Sequence, residues 1–376
     1  MSKIQQPIPS DDSFMYLLLT LLALCGEIPV SLVSRLPGSE SYQAKAITRL
    51  KSSRWIYTYY SDSLRGYRLT AAAKRELIRM QPERFGPALS GSNSTTSPKY
   101  RISSRLRLHR MAEVLVMMYC SGVTVFPWEK PGAFLPDEQF SPVTMASPAY
   151  YSSLEVKRIG AQGNIIRNSR ATGVLFTPDG LFAVFNTADG EMKWEYEAEL
   201  RLKILLQQDI CFTRFSDQYG YIDPCGLLVS PDMNQFPGLL MEKREGKKPF
   251  VKGIQFDHFH YLTTDHRGEV LLRVLSSPKC RYELDRTLTC DLAPARDFLT
   301  ENDGFDEKGA PVLLGYSCDI PRIYRFLTGL LTYNLSGTIF CFDYQEKALR
   351  EVCGENVTLE VIDFDEYERS VFHIPP

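Results

Sequence analysis

The chain has 376 residues, 44% of them hydrophobic and 12% aromatic, which allows two or three domains with real cores and excludes a disordered protein. Its net charge of −2 hides a division: residues 1–120 carry 17 Lys/Arg against 8 Asp/Glu, a net of +9, and the rest carry 26 against 37, a net of −11. A basic head on an acidic body points to a polyanion partner for the head.

In chain order, Phe14 to Cys25 is an apolar run near the N-terminus. Asp11 and Asp12 stand before it, where a signal peptide carries positive charge, and the run is too short to cross a bilayer. A buried first helix with Ser10 or Asp11 as N-cap is expected, ending at Gly26. A short second helix follows over about 30–36, then a third over about 39–52 after Pro37-Gly38. Trp55 to Tyr60 reads as a strand, Ser61-Asp62-Ser63 as a turn, Leu64 to Leu69 as a returning strand, and Thr70 as the cap of a helix over 71–80. Three helices, a hairpin and a closing helix give the order of a winged helix-turn-helix domain over residues 1–82.

On the third helix, Ala46, Ile47 and Leu50 fall on one side and are expected to face the core. Ser41, Ala44, Lys45, Thr48 and Ser52 point away, with Arg49 on the flank. Small and hydroxylic residues flanked by cations let a helix approach a major groove closely. Arg54, Arg65 and Arg68, on or beside the hairpin, are placed to reach phosphates or the adjacent minor groove. Ser41, Lys45, Thr48, Arg49, Arg54, Arg65 and Arg68 are therefore the expected DNA-binding residues, although winged helices also serve as protein-interaction modules.

Gly86 to Pro98 (GPALSGSNSTTSP) reads as a flexible linker, within a basic connecting region over 83–104. A second cationic stretch follows from Lys99 to Arg110, ahead of the apolar Met111 to Tyr119; it either extends a DNA footprint or pairs with the acidic body. Tyr67 to Leu77 reads YRLTAAAKREL and His109 to Val116 reads HRMAEVLV. In these two places the chain resembles the replication-relaxation family of bacterial plasmids and conjugative elements. The resemblance implies a role in plasmid replication initiation or conjugative relaxation, with replication or conjugation proteins as partners.

The body, 105–376, reads as a mixed α/β domain with a sub-boundary near residue 215. Strands are expected at 154–159, 172–176, 181–186 and 192–196, with a hairpin turn at Thr177-Pro178-Asp179-Gly180 and a helix over 198–208. Through the resemblance the body is similar to a degenerate PD-(D/E)xK nuclease core, whose chemistry needs two carboxylates on a divalent metal and a lysine. Asp179 and either Glu195 or Glu197 would be the carboxylates and Lys193 the lysine, although the lysine two places after the acid is missing. A literal match at Pro231-Asp232 with Glu245-Gly246-Lys247 lies in a polar loop and reads as chance.

His258 and His260 alternate onto one face of a strand, with His266 beyond, an arrangement that a metal site or aromatic packing can use. Nine singly spaced cysteines without a CxxC pair argue against a disulfide framework or a zinc ribbon. The expectation is thus an α+β protein of the cytoplasm that binds double-stranded DNA as a monomer or homodimer, with no membrane contact and no cofactor. Mg²⁺ enters only under the nuclease alternative; a transcriptional repressor of the mobile element is the other alternative.

Overall fold

A computed structural model describes residues 7–90, 100–159, 169–188, 194–241 and 250–371. It is α+β, and its contacts divide the chain into two compact units, residues 1–131 and 132–376. The division moves the expected boundary. Helix α5 (Ile102–Cys120), assigned above to the body, packs on α1 (Phe14–Cys25) and β1 (Ile28–Pro29). The Ser/Gly-rich stretch consequently falls inside the first unit. Its start is helical, α4 (Pro82–Leu89), with Phe85 and Leu89 buried, and residues 91–99 lie outside the described residues.

Helix α1 is the centre of the first unit. Leu18, Leu19, Leu21, Leu22 and Ala23 are at most 1% exposed, so the run that imitates a signal peptide is core. Its N-cap is Ser13, whose hydroxyl accepts from the Tyr16 amide, rather than Ser10 or Asp11, and Gly26 ends it at φ 79°. After β1 comes a 3-10 helix, Val30–Arg35, where a second α-helix was expected. Helix α2 (Glu40–Ser52), strands β2 (Ile56–Ser61) and β3 (Leu64–Leu69) and helix α3 (Ala71–Met80) follow as the sequence predicts. The sheet is antiparallel in the order β1-β3-β2.

The second unit holds two five-stranded sheets. The first is built from β4 (Ala149–Ser152), β5 (Gly173–Thr177), β6 (Gly180–Asn186), β7 (Cys225–Ser230) and β8 (Phe259–Thr263) in that order. Its helices are α6 (Ser153–Val156), α7 (Tyr196–Leu205), which runs on as a π-helix over Leu206–Arg214, α8 (Ser216–Tyr219), α9 (Phe236–Leu240), α10 (His266–Ser276) and α11 (Pro278–Leu288). The second sheet uses β9 (Ala293–Pro294), β10 (Gly304–Phe305), β11 (Pro311–Leu314), β12 (Gly337–Phe342) and β13 (Val357–Ile362), with helices α12 (Ile320–Tyr333), α13 (Asp343–Val352) and α14 (Phe364–Val371).

The two sheets repeat one topology. In each, the first three strands are antiparallel neighbours and the last two join in parallel. In each, a helix follows the third, fourth and fifth strands. Helices α9 and α13, which hold the same place in their halves, pack against each other. One apolar core runs through both halves, including Phe185, Phe236, Phe259, Ile320, Phe326 and Leu349.

Three sequence expectations for this unit fail. Residues 154–159 are helical rather than a strand because Ser152 and Glu155 form a capping box: each side chain accepts from the other's amide. Phe215 is 3% exposed, its ring 5.6 Å from Phe176, so position 215 is core and not a domain boundary. The strand expected at 192–196 gives way to helix from Tyr196 on; residues 192 and 193 lie outside the described residues. All nine cysteines are free. Among the described residues no helix is long and apolar enough to cross a membrane.

The β2–β3 turn generates a stability prediction. Its two central residues, Asp62 and Ser63, have φ of 52° and 62°, the backbone of a type I′ hairpin that favours Asn-Gly. Replacing Ser63→Gly should stabilise the chain by about 0.5–1 kcal/mol, and Ser63→Val should destabilise it. Thermal denaturation of both variants checks this, and a lower melting temperature for the glycine variant would refute it.

Candidate nucleic-acid interface

Helix α2 buries Gln43, Ala46 and Leu50. Ala46 and Leu50 face the core as expected; Ile47 is only half-buried, and Gln43 takes the remaining inward place. The Gln43 amide nitrogen donates to the carbonyls of Leu36 (2.6 Å) and Gly38 (3.2 Å), which fixes the start of the helix to the preceding turn. Sequence reading placed no partner for Gln43 because these acceptors are backbone groups. Ser41, Ala44, Lys45, Thr48, Arg49 and Ser52 are all exposed, so the outward face has the expected composition.

Arg54 stands exposed where α2 passes into β2, with φ 64°. Arg65 is exposed on β3. Lys51, at the end of α2, is a further cation outside the expected set: its Nζ is 4.8 Å from the centre of the Tyr67 ring. Burial and then the charge of Arg65 lower its pKa. Two cations are therefore held close together on this side of the unit. Among the described residues, Lys45, Lys51, Arg54 and Arg65 form no ion pair with a carboxylate.

Arg68 departs from the expected set. It is 4% exposed, and its Nε and guanidinium nitrogen donate to Glu27 Oε2 at 2.9 and 2.6 Å, so it is not presented to a phosphate. Strand alternation explains this: Arg68 shares a face of β3 with Gly66, opposite the face of Arg65. A Cβ on Gly66 would lie 2.4 Å from Glu27 Oε1, so glycine there makes room for the carboxylate.

Glu27 itself is fully buried. Besides Arg68 it accepts from Arg105 (2.6 Å to Oε1) and contacts His109 Nε2 (2.9 Å), both on α5. Arg105 also donates to the carbonyls of Ser61 (2.7 Å) and Leu64 (3.0 Å), either side of the hairpin turn. The Tyr59 ring has the Arg68 guanidinium 3.9 Å and the Arg105 guanidinium 4.6 Å from its centre. Burial would raise the Glu27 pKa, but the hydrogen bonds from His109, Arg105 and Arg68 outweigh it and hold the carboxyl at about 2. Arg105 thus belongs to this cluster, not to a DNA footprint or to the acidic body. The segments YRLTAAAKREL and HRMAEVLV meet here, through Arg68 and His109.

In the second unit the nuclease candidates separate. Asp179 occupies the β5–β6 turn and pairs with Arg281. Glu195 precedes α7 and pairs with Arg170 at 3.1 Å, while the neighbouring Trp194 packs on Phe185 near the far end of β6. About 20 Å of strand lies between those ends, so the two carboxylates do not share a metal. Lys193 and the Glu245-Gly246-Lys247 segment lie outside the described residues.

The histidines also divide. His258 and His260 stack with ring centres 6.5 Å apart at the start of β8, and His266 lies past its end, on Glu368 at 2.8 Å. His258 Nδ1 meets Asp319 at 2.7 Å, and the same carboxylate accepts from the Phe259 amide at 3.1 Å. The hydrogen bond to Asp319 raises the His258 pKa; burial lowers that of His260, whose Nδ1 lies 3.2 Å from Ser317 Oγ. Asp319 precedes α12, so this cluster is a seam joining the two halves of the repeat. Cys225 nearby is pushed up to about 12 by burial and by Asp319, which keeps it a thiol rather than a nucleophile at neutral pH. No group of three or more potential metal ligands occurs among the described residues.

The Glu27 cluster predicts two outcomes. Glu27→Ala leaves two buried guanidinium groups without their carboxylate and should cost about 3–5 kcal/mol in denaturant unfolding. Because its folded pKa lies below the ordinary value of 4.5, the carboxylate's stabilisation is present above that pH and is lost as pH falls towards 2. Glu27→Gln should therefore flatten that part of the stability–pH profile; an unchanged profile would refute the assignment. No family model, curated protein or solved structure matches this chain.

Proposed function

We propose that the first unit binds double-stranded DNA as a winged helix, with α2 in the major groove and the β2–β3 hairpin beside it. One observation carries this reading. The exposed Lys45, Arg54 and Arg65 and the half-buried Lys51, on α2, β3 and the link from α2 to β2, have no carboxylate partners among the described residues, whereas Arg68 and Arg105 are bound to Glu27. Cations without carboxylate partners supply a counterion-release affinity for phosphate. The exposed Ser41, Ala44, Thr48 and Ser52 keep the helix surface narrow enough to approach base edges. Residues 1–131 carry 18 Lys/Arg against 9 Asp/Glu, so the positive balance extends over the whole unit.

The acidic second unit is, in this reading, a partner-binding α/β domain without nuclease chemistry. The setting in plasmid replication initiation or conjugative relaxation rests on the resemblance of the Tyr67–Leu77 and His109–Val116 segments. Replication or conjugation proteins are the corresponding partners, and the cytoplasm the corresponding compartment.

Binding of the full chain to random-sequence duplex, followed by fluorescence anisotropy across a salt series, tests the DNA reading. Four phosphate contacts predict that log K falls against log salt with a slope of about −3 to −4. Each of Lys45→Ala, Lys51→Ala, Arg54→Ala and Arg65→Ala should reduce that slope by about 1. Lys279→Ala and Lys308→Ala, exposed in the second unit, should leave it unchanged. Failure to bind at low salt, or equal effects from both sets, would overturn the proposal.

A further inference from the structure

The first unit contains an open cavity of about 510 Å³, within the size range of small-molecule sites. It lies between the start of α1, the turn before α2 and the segment after α5. Aromatic side chains form two of its walls. On one side Phe14 and Tyr42 meet edge to face at 6.0 Å. On the other Phe126 and Trp128 are stacked at 5.4 Å, with Tyr119 against Phe126 at 5.9 Å.

Its charge is acidic. Of the ionised groups that line it, Arg84 is paired with Asp11 at 2.7 Å, which leaves Asp12 and Glu129 without an ion-pair partner among the described residues. Arg84 also shows what the wall accepts: its guanidinium lies 5.4 Å from the centre of the Trp128 ring. A separate observation points to a ligand. Thr20 borders the cavity, is 1% exposed, and its hydroxyl has no hydrogen-bond partner. Buried hydroxyls are almost always satisfied, so one left open beside a cavity marks a missing partner.

We propose that this cavity is a binding site for a small organic cation, an ammonium group carrying an aryl or alkyl body. The aromatic faces attract the cationic head, and Asp12 and Glu129 neutralise it. An anion would face two uncompensated carboxylates, and a neutral ligand would leave them unused. The site does not rest on the DNA reading, since none of the expected DNA-binding side chains lines the cavity.

Calorimetric titration of the full chain with benzyltrimethylammonium chloride, in the absence of DNA, tests it. Saturable one-to-one binding with Kd of about 1 mM or tighter is expected, accompanied by a change in tryptophan fluorescence from Trp128. Benzyl alcohol and benzoate should bind at least about tenfold more weakly, a difference of about 1.4 kcal/mol. The Asp12→Asn/Glu129→Gln variant, altered only at groups on the open rim, should keep its melting temperature and lose affinity by a similar factor. No saturable binding, equal binding of benzyl alcohol or benzoate, or unchanged affinity in that variant would overturn the proposal.

Discussion

One buried carboxylate organises the first unit. Glu27 stands just before β1, receives Arg68 from β3, and receives Arg105 and His109 from α5, so three separate stretches of chain converge on two oxygen atoms. Arg105 then continues to the carbonyls of Ser61 and Leu64, which holds the hairpin at its turn. A buried ion pair is weak evidence for net stability, because hydrophobic residues of the same volume often do as well. What it supplies is geometry. A guanidinium that bridges a carboxylate and two carbonyls admits one position of the hairpin relative to α5, whereas leucine packing would admit several. The close approach at Gly66 has the same consequence, since any side chain there would push the carboxylate away.

The second unit is built on repetition. Two sheets with the same order and sense share one core, and α9 meets α13, its counterpart in the other half. Polar groups lie along the seam: Asp319 before α12 is hydrogen-bonded to His258 and to the Phe259 amide of β8. A histidine pair that looks like a ligand set along the sequence is thus engaged in holding two halves together. His266, beyond the other end of β8, has its own partner in Glu368.

Local signals were legible and long-range ones were not. The hairpin of the first unit, the outward face of α2 and the Thr177–Gly180 turn follow from alternation, helical period and turn chemistry, all of which act within a few residues. Arg68 was misread because alternation gives two faces and does not say which one a carboxylate 41 residues earlier will occupy. The domain boundary was misread for a related reason. A Ser/Gly-rich stretch marks freedom of the chain, but α5 returns to the first unit through Arg105, a contact spanning 78 residues. The repeat escaped notice since its two halves share topology without a shared motif. The capping box at Ser152 and Glu155 was readable and outranks the strand-like pattern of residues 154–159.

Helix α2 ties the two proposals together. Its outward face carries Lys45 and Thr48, while its first turn carries Tyr42, a wall of the cavity. Tyr42 packs against Gly38, where φ is 111° and a Cβ would lie 3.1 Å from the ring, so the turn and the ring are positioned together. Gln43, one residue on, binds the carbonyl of the same Gly38 at 3.2 Å. An occupant of the proposed site would press on Tyr42, at the start of the helix that the DNA reading places in the groove. By reciprocity, any change it makes in DNA affinity must appear as an equal change in its own affinity when DNA is bound.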